Sequence, residues 1–162
     1  MRIGRPAPHF RAPALVGGNL LLLDSTNLRG QSFALCFLPP LGLLERAVLE
    51  RHVQNFVEEK AFFLGIVDEG ALFFGPWQRD LWPKGLILTA DPLGRLSRSF
   101  GVSRYQTSDR CRSFVIDASG TIRYHLVHEL NDRGMNAALE ILKASTPGGS
   151  RQASYNGDLV RL

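Results

Sequence analysis

Cysteine is scarce in this chain: its 162 residues hold only Cys36 and Cys111. Two cysteines make no disulfide framework, and the pattern fits a reducing compartment. Long hydrophobic runs are missing too. No stretch approaches the ~18 apolar residues of a membrane span, and the apolar segment 19–23 is far too short. The first residues lack the basic region and long apolar stretch that mark secretion. A cytoplasmic protein without a membrane partner is therefore expected. No glycine-rich phosphate loop occurs, because Gly148 and Gly149 precede no helix. The four histidines (His9, His52, His125 and His128) join no matching Cys or carboxylate cluster. His125 and His128 fall on opposite faces of a strand, since side chains alternate there. Neither a metal nor a cofactor is expected.

Lysine is nearly absent, with three Lys against 16 Arg, and the formal net charge is +4. Such a balance favours loose attraction to anions. Both signs are scattered along the chain, which reads as a solvated basic surface. The run Arg95, Arg98, Arg104, Arg110 and Arg112 is interleaved by few aromatics, Phe100 and Tyr105, so nucleic acid is not the expected partner. A composition of 44% hydrophobic and 21% charged residues suits one ordinary globular domain.

The hydrophobic pattern gives the order of elements. Residues 1–13 form an extended, proline-punctuated entry. Leu15 to Asp24 contains Gly17-Gly18-Asn19 between apolar runs, the signature of a hairpin. Ser32 to Leu38 and Ala61 to Val67 are continuous apolar runs suited to central strands. Pro39-Pro40 ends the first of them. Between them, Leu44, Val48, Leu49, Val53, Phe56 and Val57 recur at helical spacing and predict a helix over Leu43 to Lys60. Strand, helix, strand at this spacing is a right-handed parallel crossover. A short helix is predicted at Trp77, a strand at Leu86 to Thr89, and a helix from Asp91, as cap, to Phe100. Ser113 to Asp117 and Thr121 to Val127 form a hairpin about Ala118-Ser119-Gly120. Asn131 to Ala144 is the last helix. The domain spans 1–144, and the Ser-, Gly- and Pro-rich 145–162 reads as a flexible polar tail.

This is an α/β, thioredoxin-like layout: three layers, a mixed β-sheet with helices on both faces, and an N-terminal β-hairpin. Several short pieces make it more specific. Gly4, Pro6, Pro8 and Phe10 open the chain. Leu28-Arg29-Gly30 precedes Phe33 to Pro39. Leu64-Gly65-Ile66-Val67-Asp68 follows the first helix. Asp91-Pro92-Leu93-Gly94 leads to Phe100-Gly101-Val102, and Phe114-Val115-Ile116-Asp117 to Gly120-Thr121-Ile122. In order and spacing, over residues 3 to 143, these resemble peroxiredoxins of the alkyl hydroperoxide reductase and thiol-specific antioxidant type.

The resemblance implies a peroxide-reducing cysteine in a motif of Pro, three residues, Thr, two residues, Cys, at a helix N-terminus near an arginine. Backbone N–H groups and the cation would stabilise its thiolate, which peroxide oxidises to a sulfenic acid. Here the proline matches Pro39 or Pro40, and the cysteine position falls on Arg46 or Ala47. Allowing a gap, Glu45 matches the family's following glutamate and the cysteine falls on Gly42. None of these positions carries a thiol. The family's arginine, three residues before Phe114, is Cys111, between Arg110 and Arg112. Pro39, Pro40, Gly42, Glu45, Arg46, Arg110 and Arg112 are thus expected to line a degenerate pocket that takes a small anion. A non-peroxidatic binding or regulatory protein is the first expectation.

The alternative is an atypical thiol oxidoreductase using Cys111, in a polar turn where Arg110 and Arg112 would depress its pKa. Cys36, inside an apolar strand, is expected to be structural. Whether the two approach each other is open. The aromatic cluster Phe73, Phe74, Trp77 and Trp82 either fills the core or forms a partner surface. The resemblance implies a homodimer paired near it.

Overall fold

The computed structural model describes residues 3–68, 81–102 and 110–145. The helix expected at Trp77, Phe73, Phe74, Arg104, Tyr105 and residues 146–162 of the expected tail lie outside the described residues. Seven strands form one mixed sheet: β1 (Arg11–Val16), β2 (Asn19–Asp24), β3 (Ser32–Phe37), β4 (Ala61–Val67), β5 (Leu86–Ala90), β6 (Arg110–Ile116) and β7 (Ile122–Glu129), in the order β2-β1-β5-β4-β3-β6-β7. β3, β4 and β5 run parallel, and every other pair is antiparallel. A 3₁₀ turn (Ser25–Leu28) follows β2, and the helices are α1 (Leu43–Glu58), α2 (Arg95–Ser99) and α3 (Asp132–Ser145).

The N-terminal hairpin forms as expected, with Gly17 and Gly18 both at positive φ (60° and 81°). That geometry matches strand twist and is strained for residues with a Cβ. α1 stops two residues before the predicted end, and Lys60 turns the chain back at φ 61°. The helix predicted from Asp91 starts later, at Arg95. Asp91 caps it from a distance, its carboxylate accepting the N–H groups of Leu96 and Ser97 at 3.0 and 2.9 Å.

Each sheet face carries its own core, because successive strand residues point to opposite sides. Ala34, Cys36, Phe63, Leu88, Cys111 and Val115 pack beneath α1 and α3. Phe33, Leu35, Leu64, Ile87, Phe114 and Ile116 pack with Leu28, Leu96 and Phe100 on the other side. The three-layer expectation holds. α1 and α3 are tied at one end by Asp132, whose Oδ1 accepts from Arg51 Nη2 at 2.9 Å and lies 2.7 Å from His52 Nε2. Among the described residues no helix is long and apolar enough to cross a membrane.

Three carboxylates are held below their ordinary range. Asp24 falls to about 2, through the Thr26 N–H, then the Thr26 hydroxyl and His9. For Asp117 burial opposes ionisation, but Ser119, Thr121 and Arg123 outweigh it. Asp132 is lowered by His52, then by Arg51. Below the unfolded value of about 3.9 the unfolded chain binds more protons than the native one, so stability falls with pH there. The urea midpoint is expected to drop as the pH falls below about 4. A midpoint that holds level through the acid range would contradict these assignments.

Candidate functional site

β3 delivers the chain to the start of α1 through Pro39, which is buried, and Pro40, which is exposed. Gly42 caps α1 with an extended backbone (φ −87°, ψ −171°). Its N–H donates to Glu45 Oε1 at 2.8 Å, while its carbonyl accepts the Arg46 N–H at 3.0 Å. Glu45 thus closes one half of a capping box and places a negative charge in the first turn, where the helix dipole favours it. Leu43 and Leu44 stand out in solvent, 76% and 78% exposed. Leu38 and Leu41 instead fold down against the core that holds both cysteines.

The two thiols lie beneath this helix, on the same sheet face. Cys36 pairs with Ser113 across β3 and β6, and Cys111 pairs with His128 across β6 and β7. Because side chains two apart share a face, Cys36, Cys111, Ser113 and His128 converge. The two Sγ atoms and one His128 ring nitrogen lie within 4.8 Å of one another. Both cysteines are fully buried and free, and His128 is 7% exposed. His128 Nδ1 donates to the Glu129 carbonyl at 2.9 Å, since a carbonyl only accepts. In the neutral ring Nε2 then accepts from the Ser113 hydroxyl at 2.7 Å. α3 clamps the ring from above: a Cβ on Gly134 would collide with the Glu129 carbonyl oxygen and lie 2.9 Å from His128 Nδ1.

Electrostatics splits the two thiols. Burial opposes ionisation of Cys36, yet hydrogen bonds from Cys111 and His128 and the His128 charge outweigh it and lower its pKa. Cys111 is pushed up, first by its hydrogen bond to Cys36, then by burial and the Cys36 charge. For His128 burial acts downward, but the hydrogen bond to Cys36 and its charge carry the pKa up.

Several expectations change here. Cys111 does not sit in a polar turn: it is the second residue of β6 and fully buried. Alternation places Arg110 and Arg112 on the other face, with Phe114. There Phe114 stacks on His125 at 4.3 Å, and burial and the Arg112 charge lower the His125 pKa. Pro39, Pro40, Gly42, Glu45 and Arg46 lie along the entry to α1 and its first turn, and Arg110 and Arg112 lie on β6, on the sheet face opposite both cysteines. His125 and His128 do lie on opposite faces. The Cys/His grouping that sequence reasoning missed joins β3 to the β6–β7 hairpin more than 70 residues later, and only sheet register brings them together.

No family model matches the chain. Relatives do. Peroxiredoxin-2 of Cricetulus griseus is 28% identical over 155 residues, covering 88% of this chain and 78% of that protein. A Clostridium pasteurianum protein named as a peroxiredoxin in the rubredoxin operon is 25% identical over 161 residues, 91% of this chain and 90% of that one. Among solved structures, the mitochondrial 2-Cys peroxiredoxin of Plasmodium falciparum superposes with a TM-score of 0.71 at 21% identity, covering 88% of this chain and 93% of that one. AhpC of Mycobacterium tuberculosis gives 0.71 at 20% identity, covering 89% and 92%. Sequence and fold agree: the chain is similar to peroxiredoxins over about nine-tenths of its length and shares their thioredoxin-like fold.

Proposed function

We propose that this chain is a peroxiredoxin-family protein without the family's peroxide-reducing step, and that it serves as a binding or regulatory member. One observation carries the proposal. The start of α1 presents Gly42, Leu43 and Leu44 to solvent beside the half-buried Glu45, and both thiols are fully buried beneath it. A peroxide approaching there meets hydrocarbon and a carboxylate. The basic balance of the chain favours an anionic ligand or an acidic partner. The same proposal takes the protein to be a cytoplasmic homodimer.

The test is hydrogen peroxide consumption by the purified protein with dithiothreitol as reductant. The expected rate equals that of the Cys36→Ser/Cys111→Ser double variant. Turnover well above that background defeats the proposal.

A second reading, thiol redox chemistry through Cys111, is favoured by the convergence of Cys36 and His128 on it. Turnover that disappears in Cys111→Ser and survives in Cys36→Ser would establish that reading.

A further inference from the structure

Cys36, Cys111 and His128 form a small, buried cluster of sulfur and nitrogen donors set by the register of three neighbouring strands. Two chemistries suit such a cluster: a disulfide, or a shared metal ion. Register separates them. The partner of Cys36 across the β3–β6 pair is Ser113, so Cys111 stands diagonally to it. Diagonal neighbours are about 7–8 Å apart at Cα, whereas a disulfide wants about 5.5–6 Å. Closing an S–S bond would mean shifting two interior strands. A metal imposes no such demand. Zinc takes sulfur at about 2.3 Å, which leaves two tetrahedral thiolates about 3.8 Å apart. A spread of up to 4.8 Å between donor atoms needs only side-chain adjustment to reach that.

The surroundings of His128 point the same way. A metal-bound imidazole almost always donates its other ring N–H to a carbonyl or carboxylate, which fixes the tautomer. His128 Nδ1 already donates to the Glu129 carbonyl, and the backbone of Gly134 holds the ring in place. Nε2 is left with its lone pair on the side of Ser113. Charge decides the class of ion. Two thiolates buried without compensation are costly, and a divalent ion with a neutral imidazole balances them to zero. A monovalent ion leaves one negative charge in the core.

We propose that Cys36 Sγ, Cys111 Sγ and His128 Nε2 bind one divalent, thiophilic metal ion, zinc by chemical class, with Ser113 Oγ beside the fourth position. Two S–H bonds break and two metal–sulfur bonds form. Two protons leave to solvent, and no oxidation state changes. The proposal does not depend on the peroxide test, because a chain inactive toward peroxide can still hold the ion.

The experiment titrates the full, reduced protein with Co(II) as a spectroscopic probe and then displaces it with Zn(II). The expected result is one equivalent per chain, with a thiolate-to-cobalt charge-transfer band and tetrahedral d–d absorption. Cys111→Ala and Cys36→Ala, checked for folding by circular dichroism, should each bleach the band and weaken binding by more than about a hundredfold, since even outer-shell changes cost 10–100-fold. As a readout free of variants, Zn(II) should protect both cysteines of the native protein from alkylation, mapped by peptide mass spectrometry. Three results overturn the proposal: no charge-transfer band in the folded protein, a band that persists in a folded Cys36→Ala chain, or stoichiometric binding of Cu(I) with none of Zn(II).

Discussion

Phe63→Ala should lower the unfolding free energy by about 3–5 kcal/mol. Phe63 lies in the middle of β4, between β3 and β5, and is fully buried. Its ring meets Phe56 of α1 edge-to-face, with centroids 5.5 Å apart and planes at 78°. Truncation removes buried hydrocarbon, leaves a cavity that rigid strands on both sides cannot close, and forfeits an aromatic pair worth about 0.5–1.5 kcal/mol beyond its area. Since Phe56 anchors α1 over the cysteines, the loss also loosens the lid of the cluster. Urea denaturation measures the effect, read as a shift of midpoint at constant slope. Leu44→Ala, at a site 78% exposed on the same helix, is the control and should stay within about 0.5 kcal/mol. A Phe63→Ala loss under about 1 kcal/mol would refute the packing.

Gly134→Ala is the sharper test, because two principles give it opposite signs. Inside an exposed helix the exchange stabilises by about 1 kcal/mol through helix propensity. Gly134, however, is in α3 where the helix crosses the end of β7. An added Cβ would strike the Glu129 carbonyl oxygen and stand 3.0 Å from its carbon. Both atoms are backbone and cannot swing aside, so α3 has to move. Overpacking of this kind costs about 1–3 kcal/mol and occasionally more, and it would also break the Gly134 N–H bond to Asn131 Oδ1 at 2.7 Å. The expected net result is a destabilisation of about 2 kcal/mol, large enough to lower the thermal midpoint by several degrees. A stabilised variant would mean that the close approach is wrong.

The elements were legible where hydrophobic pattern alone determines them. β3 and β4 are continuous apolar runs, and their predicted and observed ranges agree to within one residue. α1 follows its heptad-like stripe. Boundaries shifted where a single local interaction intervened: the left-handed Lys60 after α1, and the Asp91 carboxylate reaching past Gly94 (φ 67°) to cap α2. The burial of Cys36 was legible because apolar residues flank it. That of Cys111 was not. Its two arginine neighbours suggest a polar turn, whereas a half-exposed strand hides every second residue between charged ones. The donor cluster was illegible for a deeper reason. It depends on two inter-strand registers, β3 with β6 and β6 with β7, and no local window contains both.

The tether at the head of α1 has one more consequence. Glu45 is fixed three residues from the N–H it holds, so it competes for that position as a neighbour present at roughly millimolar effective concentration or more. Gly42 leaves the room for this, since a Cβ there would come within 2.6 Å of Glu45 Oε1. A free anion seeking the positive end of this helix has to displace an internal rival that never diffuses away. Weak ligands are turned back there by simple competition, however small or well shaped they are.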